Sequence, residues 1–215
     1  TFLDADSQAV ASLMIEFDTL FRVKVAAALE RLNGTRIKAV IIPSIRDAVS
    51  QFPILPQPGF DPALFSTCKN VVLAPNPCVL QIDNTILMGV CAADVIKHVS
   101  QQFVASQKKQ DRMLSICEAI ATQRSFYPLV PSDDSTCIEY TMLDKLAFQE
   151  TTPHILVLPS DLKAFAKQVP SPEASNPAIT FLNPGRAATG HSAGRFAKIT
   201  LSNDPSSVRI EILHL

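Results

Sequence analysis

Histidine, aspartate, cysteine and arginine are the side chains here that can hold a metal, move a proton or grip an anion. Their spacing limits what they can do. The four histidines are His98, His154, His191 and His214. No two stand at the short spacing a local metal motif uses. His98 falls in a helical pattern, with its ring expected toward water. His154 opens a strand, and His214 adjoins the last residue of the chain. His191 sits in a glycine-flanked loop over 190–194, where contact with a phosphate is the functional option. Asp4, Asp6, Asp47 and Asp161 are the candidate carboxylate ligands. The alternative for Asp4 and Asp6 is capping, and Asp161 reads as the N-cap of a helix over 162–169. The five cysteines, Cys68, Cys78, Cys91, Cys117 and Cys137, are odd in number and form no CxxC pair. They read as buried free thiols in a reducing compartment, neither a disulfide framework nor a zinc site. Arg124 and Arg186 have the fork that suits carboxylate or phosphate. The reading adopted is that each bonds backbone carbonyls and fixes its loop, with Gly185 serving the turn.

These groups must be positioned by helices and strands that the apolar pattern defines. Residues 16–32 carry Phe17, Leu20, Phe21, Val25, Ala28, Leu29 and Leu32 at helical spacing, and Asn33-Gly34 ends the run. Residues 37–42 form a continuous β-branched strand. A proline-rich loop over 43–62 follows and reads as a binding or packing loop. A short strand over 71–74 precedes a hairpin, 79–82 and 85–90, turned at Asp83-Asn84. Helices are expected over 92–104, from Asp111 onward and over 141–148, with a polar connector at 101–110. Strands are expected over 155–158, 179–182, 196–201 and 208–213. A loop tip falls at 171–177, and the last two strands form an antiparallel pair around Asn203-Asp204-Pro205. Helices alternate with strands first and hairpins close the chain, which predicts an α/β layout with a mixed sheet.

Composition excludes some functions. At 215 residues with 47% apolar residues, a substantial core is within reach. No apolar run approaches the ~18 residues a membrane-spanning helix needs. Nineteen Lys plus Arg face twenty Asp plus Glu, and the net charge is −1. Without a basic stripe, DNA contact is expected to be weak or indirect. The chain starts at Thr1 rather than Met and is read as a fragment of a longer subunit.

The segment DRMLSICEAIATQRSFYPLVP over 111–131 begins as an amphipathic helix and ends in a proline-bracketed aromatic arm. Five more segments accompany it in order: FLDA from Phe2, PSIRD from Pro43, NPC from Asn76, TPHILVLPSDL from Thr152 and NPGR from Asn183. Together these six segments resemble the B-subunit family of eukaryotic DNA polymerase alpha–primase. The resemblance implies a calcineurin-like phosphoesterase fold, catalytically degenerate. Residues 1–215 would be one domain, the C-terminal portion of that phosphoesterase-like domain. An oligonucleotide-binding-type domain is expected outside the chain.

An active phosphoesterase of this fold holds two metal ions with His, Asp and Asn at strand ends. The strand over 37–42 leads into PSIRD where GNHD belongs, and the strand over 155–158 leads into PSDLK where GHxH belongs. Ser44, Arg46, Asp47, Ser160 and Asp161 are therefore the degenerate site positions. No catalytic residue, metal or cofactor is expected. The resemblance further implies docking on the zinc-containing C-terminal domain of the polymerase alpha catalytic subunit. Primase subunits would share the assembly, in the nucleus and away from membranes. Phe60, Phe126 and Tyr127 are the candidate partner anchors, helped by neighbouring prolines and Phe52. The alternative is that these rings pack their loops onto their own core. Two other functions stay open: a metal-dependent phosphatase or nuclease, and the equivalent accessory subunit of polymerase delta or epsilon.

Overall fold

A computed structural model describes residues 3–4, 12, 14–83, 85–104, 111–148, 152–172, 178–189, 192–202 and 208–215. His191, Asp6, Asn84 and the Asn203-Asp204-Pro205 turn lie outside the described residues, as do most of the 101–110 connector and of the 171–177 tip. The chain divides into two compact units, residues 1–76 with 136–139, and residues 77–135 with 140–215.

The first unit begins with the expected helix, which runs as α1 (Phe17–Phe21), a π-helical turn (Arg22–Ala26) and α2 (Ala27–Glu30). Gly34 follows at φ 79°, the left-handed backbone that stops the helix. Strand β1 (Ala39–Ile41) pairs in parallel with β3 (Val71–Leu73). Strand β2 (Ile54–Leu55) pairs in parallel with β6 (Cys137–Ile138), which returns to this unit from later in the chain. Phe21, Phe60 and Phe65 form the centre of the core, with ring centroids 5.4–6.2 Å apart. Ala26, Ile41, Val49 and Leu64 complete it. Burying three rings at tilted and edge geometry is the main stabilisation available to a unit this small.

The second unit is built on a five-stranded sheet. Strands β4 (Cys78–Ile82) and β5 (Ile86–Val90) form the expected hairpin, with Asp83 at φ 49° in its turn. Strands β7 (Ile155–Val157), β8 (Phe165–Val169) and β9 (Ile179–Asn183) complete the sheet in the order β4-β5-β7-β9-β8. β5, β7 and β9 run parallel; β4 and β8 are antiparallel edges. Every residue of β9 is buried, as a central parallel strand requires. Helices α3 (Val95–Gln102) and α4 (Arg112–Gln123) pack together, and α4 also packs on β8. Each is capped by an aspartate: Asp94 accepts from Lys97 N, and Asp111 accepts from Met113 N and Leu114 N. A 3₁₀ segment (Tyr140–Leu146) stands where a short helix is expected. The two ribbons near the C-terminus are β10 (Ala188–Thr189) with β11 (Ser192–Ala193), and β12 (Arg195–Thr200) with β13 (Arg209–His214).

One element is corrected outright. The helix expected over 162–169 is strand β8, paired through five residues with β9. Phe165, Lys167 and Val169 alternate with Ala166 and Gln168 at strand period, and an open edge beside a buried strand decides the outcome over local propensity. No described helix is long and apolar enough to cross a membrane.

Candidate functional site

The loop after β1 carries PSIRD. Asp47 is 3% exposed, and its carboxylate accepts from Leu3 N at 3.1 Å and Ser44 N at 3.3 Å. Ser44, equally buried, accepts from Arg46 N through its hydroxyl, and its carbonyl accepts from Gln57 Nε2. Arg46 reaches Asp4 at 2.5 Å. Asp4 thus neutralises a guanidinium, where a capping role is expected. Gln57 and Asn76 exchange backbone hydrogen bonds at 2.6 and 2.9 Å, and Asn76 Nδ2 donates to Gln57 Oε1. Asn76, which opens the NPC segment, is therefore stapled to the proline-rich loop.

The loop after β7 carries PSDLK. Ser160 is buried; its N–H donates to Asn183 Oδ1 at 3.0 Å, and its hydroxyl accepts from Leu162 N. Asp161 caps nothing. Its carboxylate is gripped by Arg186 at 2.5 Å with Lys97 at 3.8 Å, and its N–H donates to Asp94. Arg186 thus holds a carboxylate, where backbone carbonyls are expected as its partners. Asn183 is fully buried and uses its whole amide. Oδ1 accepts from Ser160 N and Gly185 N, while Nδ2 donates to the carbonyls of Leu162 and Lys163. It clamps the loop after β7 to the loop after β9. Gly185 takes φ 77°, so the turn does need glycine.

The aromatic arm leaves α4 through Arg124, which takes φ 51° at the C-cap and donates its N–H to Ala121 O. The arm then pairs with the end of the 3₁₀ segment: Phe126 N donates to Leu146 O and Phe148 N to Arg124 O. Phe126 stacks edge-on against Phe148 at 4.8 Å. The Tyr127 hydroxyl lies 3.0 Å from His98 Nδ1 and accepts from Asp133 N. Ser135 Oγ and Asp133 Oδ1 lie 3.3 and 3.6 Å from His98 Nε2. The Ser135 hydroxyl, then its N–H, holds the Asp133 carboxyl below its ordinary range. His98 is 7% exposed, so the expectation of a solvent-facing ring is corrected; the arm covers it. Phe60, Phe126 and Tyr127 are 6%, 2% and 2% exposed in this chain. The picture of these rings as anchors on an open surface does not match that burial. Their apolar area already packs on their own units, while Phe52 and Val130 beside them remain exposed.

His154 and the three buried thiols are tuned toward inertness. Burial holds His154 below its usual pKa, and its Nδ1 accepts from Leu87 N. Burial pushes Cys78 up to about 11 and Cys91 and Cys117 up to about 12, so these thiols stay protonated and poorly nucleophilic. All five cysteines are free, but Cys137 is exposed and Cys68 half-buried, so the expectation of buried thiols is corrected for these two. Among the described residues no three His, Cys, Asp or Glu side chains gather to hold a metal ion.

Residues 1–167 match the family of the B subunit of DNA polymerase alpha/epsilon. The chain belongs to this family. Among curated relatives, the DNA polymerase alpha B subunit of Rattus norvegicus is 30% identical over 98% of this chain and 34% of its own length. The Schizosaccharomyces pombe protein of the same name is 32% identical over 86% of this chain and 31% of its own length. The Drosophila melanogaster one is 31% identical over 94% of this chain and 31% of its own length. The chain spans about a third of the length of these relatives.

In this B-subunit segment, the motifs that carry the resemblance have structural roles. Ser44, Arg46 and Asp47 come together in the first unit, and Ser160, Asp161 and Arg186 come together in the second. Asn183 is the residue that sequence reasoning missed. Its signal was present: a polar amide ending the buried strand ITFLN, directly before Pro-Gly. A buried amide there has to find several hydrogen-bond partners.

Proposed function

We propose that this chain is part of the accessory B subunit of DNA polymerase alpha–primase, a non-catalytic scaffold that supports initiation of DNA replication in the nucleus. The observation that carries this reading is the family match over residues 1–167, joined to relatives each named as the B subunit of DNA polymerase alpha. The geometry supports the non-catalytic half. Ser44, Asp47, Ser160 and Asp161 are engaged in hydrogen bonds and ion pairs within the fold, and Arg46 and Arg186 place guanidinium groups beside the carboxylates that a cation would need.

The scaffold is of the calcineurin-like phosphoesterase type, with an oligonucleotide-binding-type domain elsewhere in the full protein. The partner is the zinc-containing C-terminal domain of the catalytic subunit, with the primase subunits in the same assembly. DNA is contacted weakly or through those partners, since the net charge of −1 leaves little to drive phosphate neutralisation.

Gel filtration of the full protein mixed with that C-terminal domain tests the reading. A one-to-one complex without cleavage of phosphate mono- or diesters in added Mn²⁺ is expected. Turnover that Asp47→Asn or Asp161→Asn abolishes would replace the scaffold by a metal-dependent phosphoesterase.

A further inference from the structure

In the second unit, the loops leaving β7 and β9 and the ends of β12 and β13 line an open cleft of about 560 Å³. Ser160, Asp161 and Lys163 come from the first loop, Gly185 and Arg186 from the second, and Arg195 and His214 from the ribbon. The cleft lies outside the carboxyl ends of the parallel strands β7 and β9. Open α/β sheets place their ligand crevices there. Asp161 is its one carboxylate among the described residues, and Arg186 and Lys97 already neutralise it. Lys163 and Arg195 have no carboxylate partner among the described residues. Arg195 stands directly across the ribbon from His214 in the β12–β13 register. Gly194 is held so close to the Arg186 carbonyl that a side chain there would collide with backbone, which fixes the wall between Arg186 and Arg195. Two such cations, one on the loop after β7 and one on β12, match the charge of one phosphate dianion better than that of a single carboxylate. Leu162, Ala164 and Ala193 supply an apolar wall.

We propose that this cleft binds a phosphate group, held by Lys163 and Arg195 with Arg186 alongside. The site is one of recognition and involves no bond cleavage. Its ligand is either free phosphate or a phosphate carried on a nucleotide, and the volume admits both.

Isothermal titration of the full chain at low ionic strength with inorganic phosphate, adenosine 5′-monophosphate and acetate tests this. Phosphate and the nucleotide should each saturate at one site, roughly tenfold or more tighter than acetate. Tighter binding of the nucleotide identifies a nucleotide-borne phosphate, whereas equal binding identifies the free anion. Lys163→Glu and Arg195→Glu should each weaken binding roughly tenfold or more, while Lys38→Glu, exposed in the other unit, should leave it unchanged. Lys163→Gln and Arg195→Gln serve if a charge reversal perturbs folding, as read by far-UV circular dichroism. Absence of saturation, equal binding of acetate, or binding indifferent to Lys163 and Arg195 overturns the proposal.

Discussion

Asn183 is the side chain on which the second unit's loop geometry most depends. Its amide makes four hydrogen bonds, to Ser160, Gly185, Leu162 and Lys163. Asn183→Ala leaves buried donors and acceptors unpaired and should cost about 2–4 kcal/mol, measured by urea unfolding. Gly89 makes a complementary case in β5. A Cβ there would lie 2.8 Å from Leu156 Cδ2 and 3.0 Å from the Phe126 ring. Gly89→Ala should therefore destabilise by about 1–3 kcal/mol, and Phe126→Leu in the same chain should recover part of that loss. His154 gives the chain a pH dependence with a defined sign. Its folded pKa lies below the ordinary value of 6.5 because burial disfavours the imidazolium. The unfolded chain takes up the proton first as pH falls, so stability declines from about pH 6.5 down to the lower folded value and levels off below it. Thermal unfolding across pH 4.5–8 (~0.5-unit steps) should show that slope, and His154→Ala should flatten it.

The helices and strands show why part of the fold was legible in the sequence and part was not. Helices α3 and α4 announce themselves by an apolar stripe at helical spacing, and the hairpin β4–β5 by Asp83-Asn84 between two short apolar runs. These signals are local. Strand β8 was not legible, because Asp161 looks like a cap and what decides its conformation is the open edge of β9. The burial of His98 was equally hidden, since the group covering it, Tyr127, comes from a different element. The site positions followed the same division. PSIRD and PSDLK could be placed after their strands from sequence, but their engagement with Asp4, Asn183 and Arg186 depends on pairings across tens of residues. Asp94 ties two such elements together, capping α3 through Lys97 N and receiving Asp161 N from the loop after β7. Asp94→Ala should cost about 1–2 kcal/mol in chemical denaturation. Hydrogen exchange should quicken in both the first turn of α3 and the 160–162 loop if the two are linked.

At the scale of the whole molecule, polar loops engaged in their own hydrogen bonds and ion pairs fit the proposed scaffold role better than a catalytic one. Buried thiols, a neutral His154 and arginines paired with the site carboxylates all remove reactive groups from play. The chain spans about a third of the length of the curated relatives it matches. Affinity purification of the tagged full-length protein from its own cells, with quantitative mass spectrometry, tests the central claim most directly. The account predicts the catalytic subunit of DNA polymerase alpha and both primase subunits in near-equal amounts. Recovery of the protein without the alpha catalytic subunit, or with the catalytic subunit of another polymerase in its place, would contradict it.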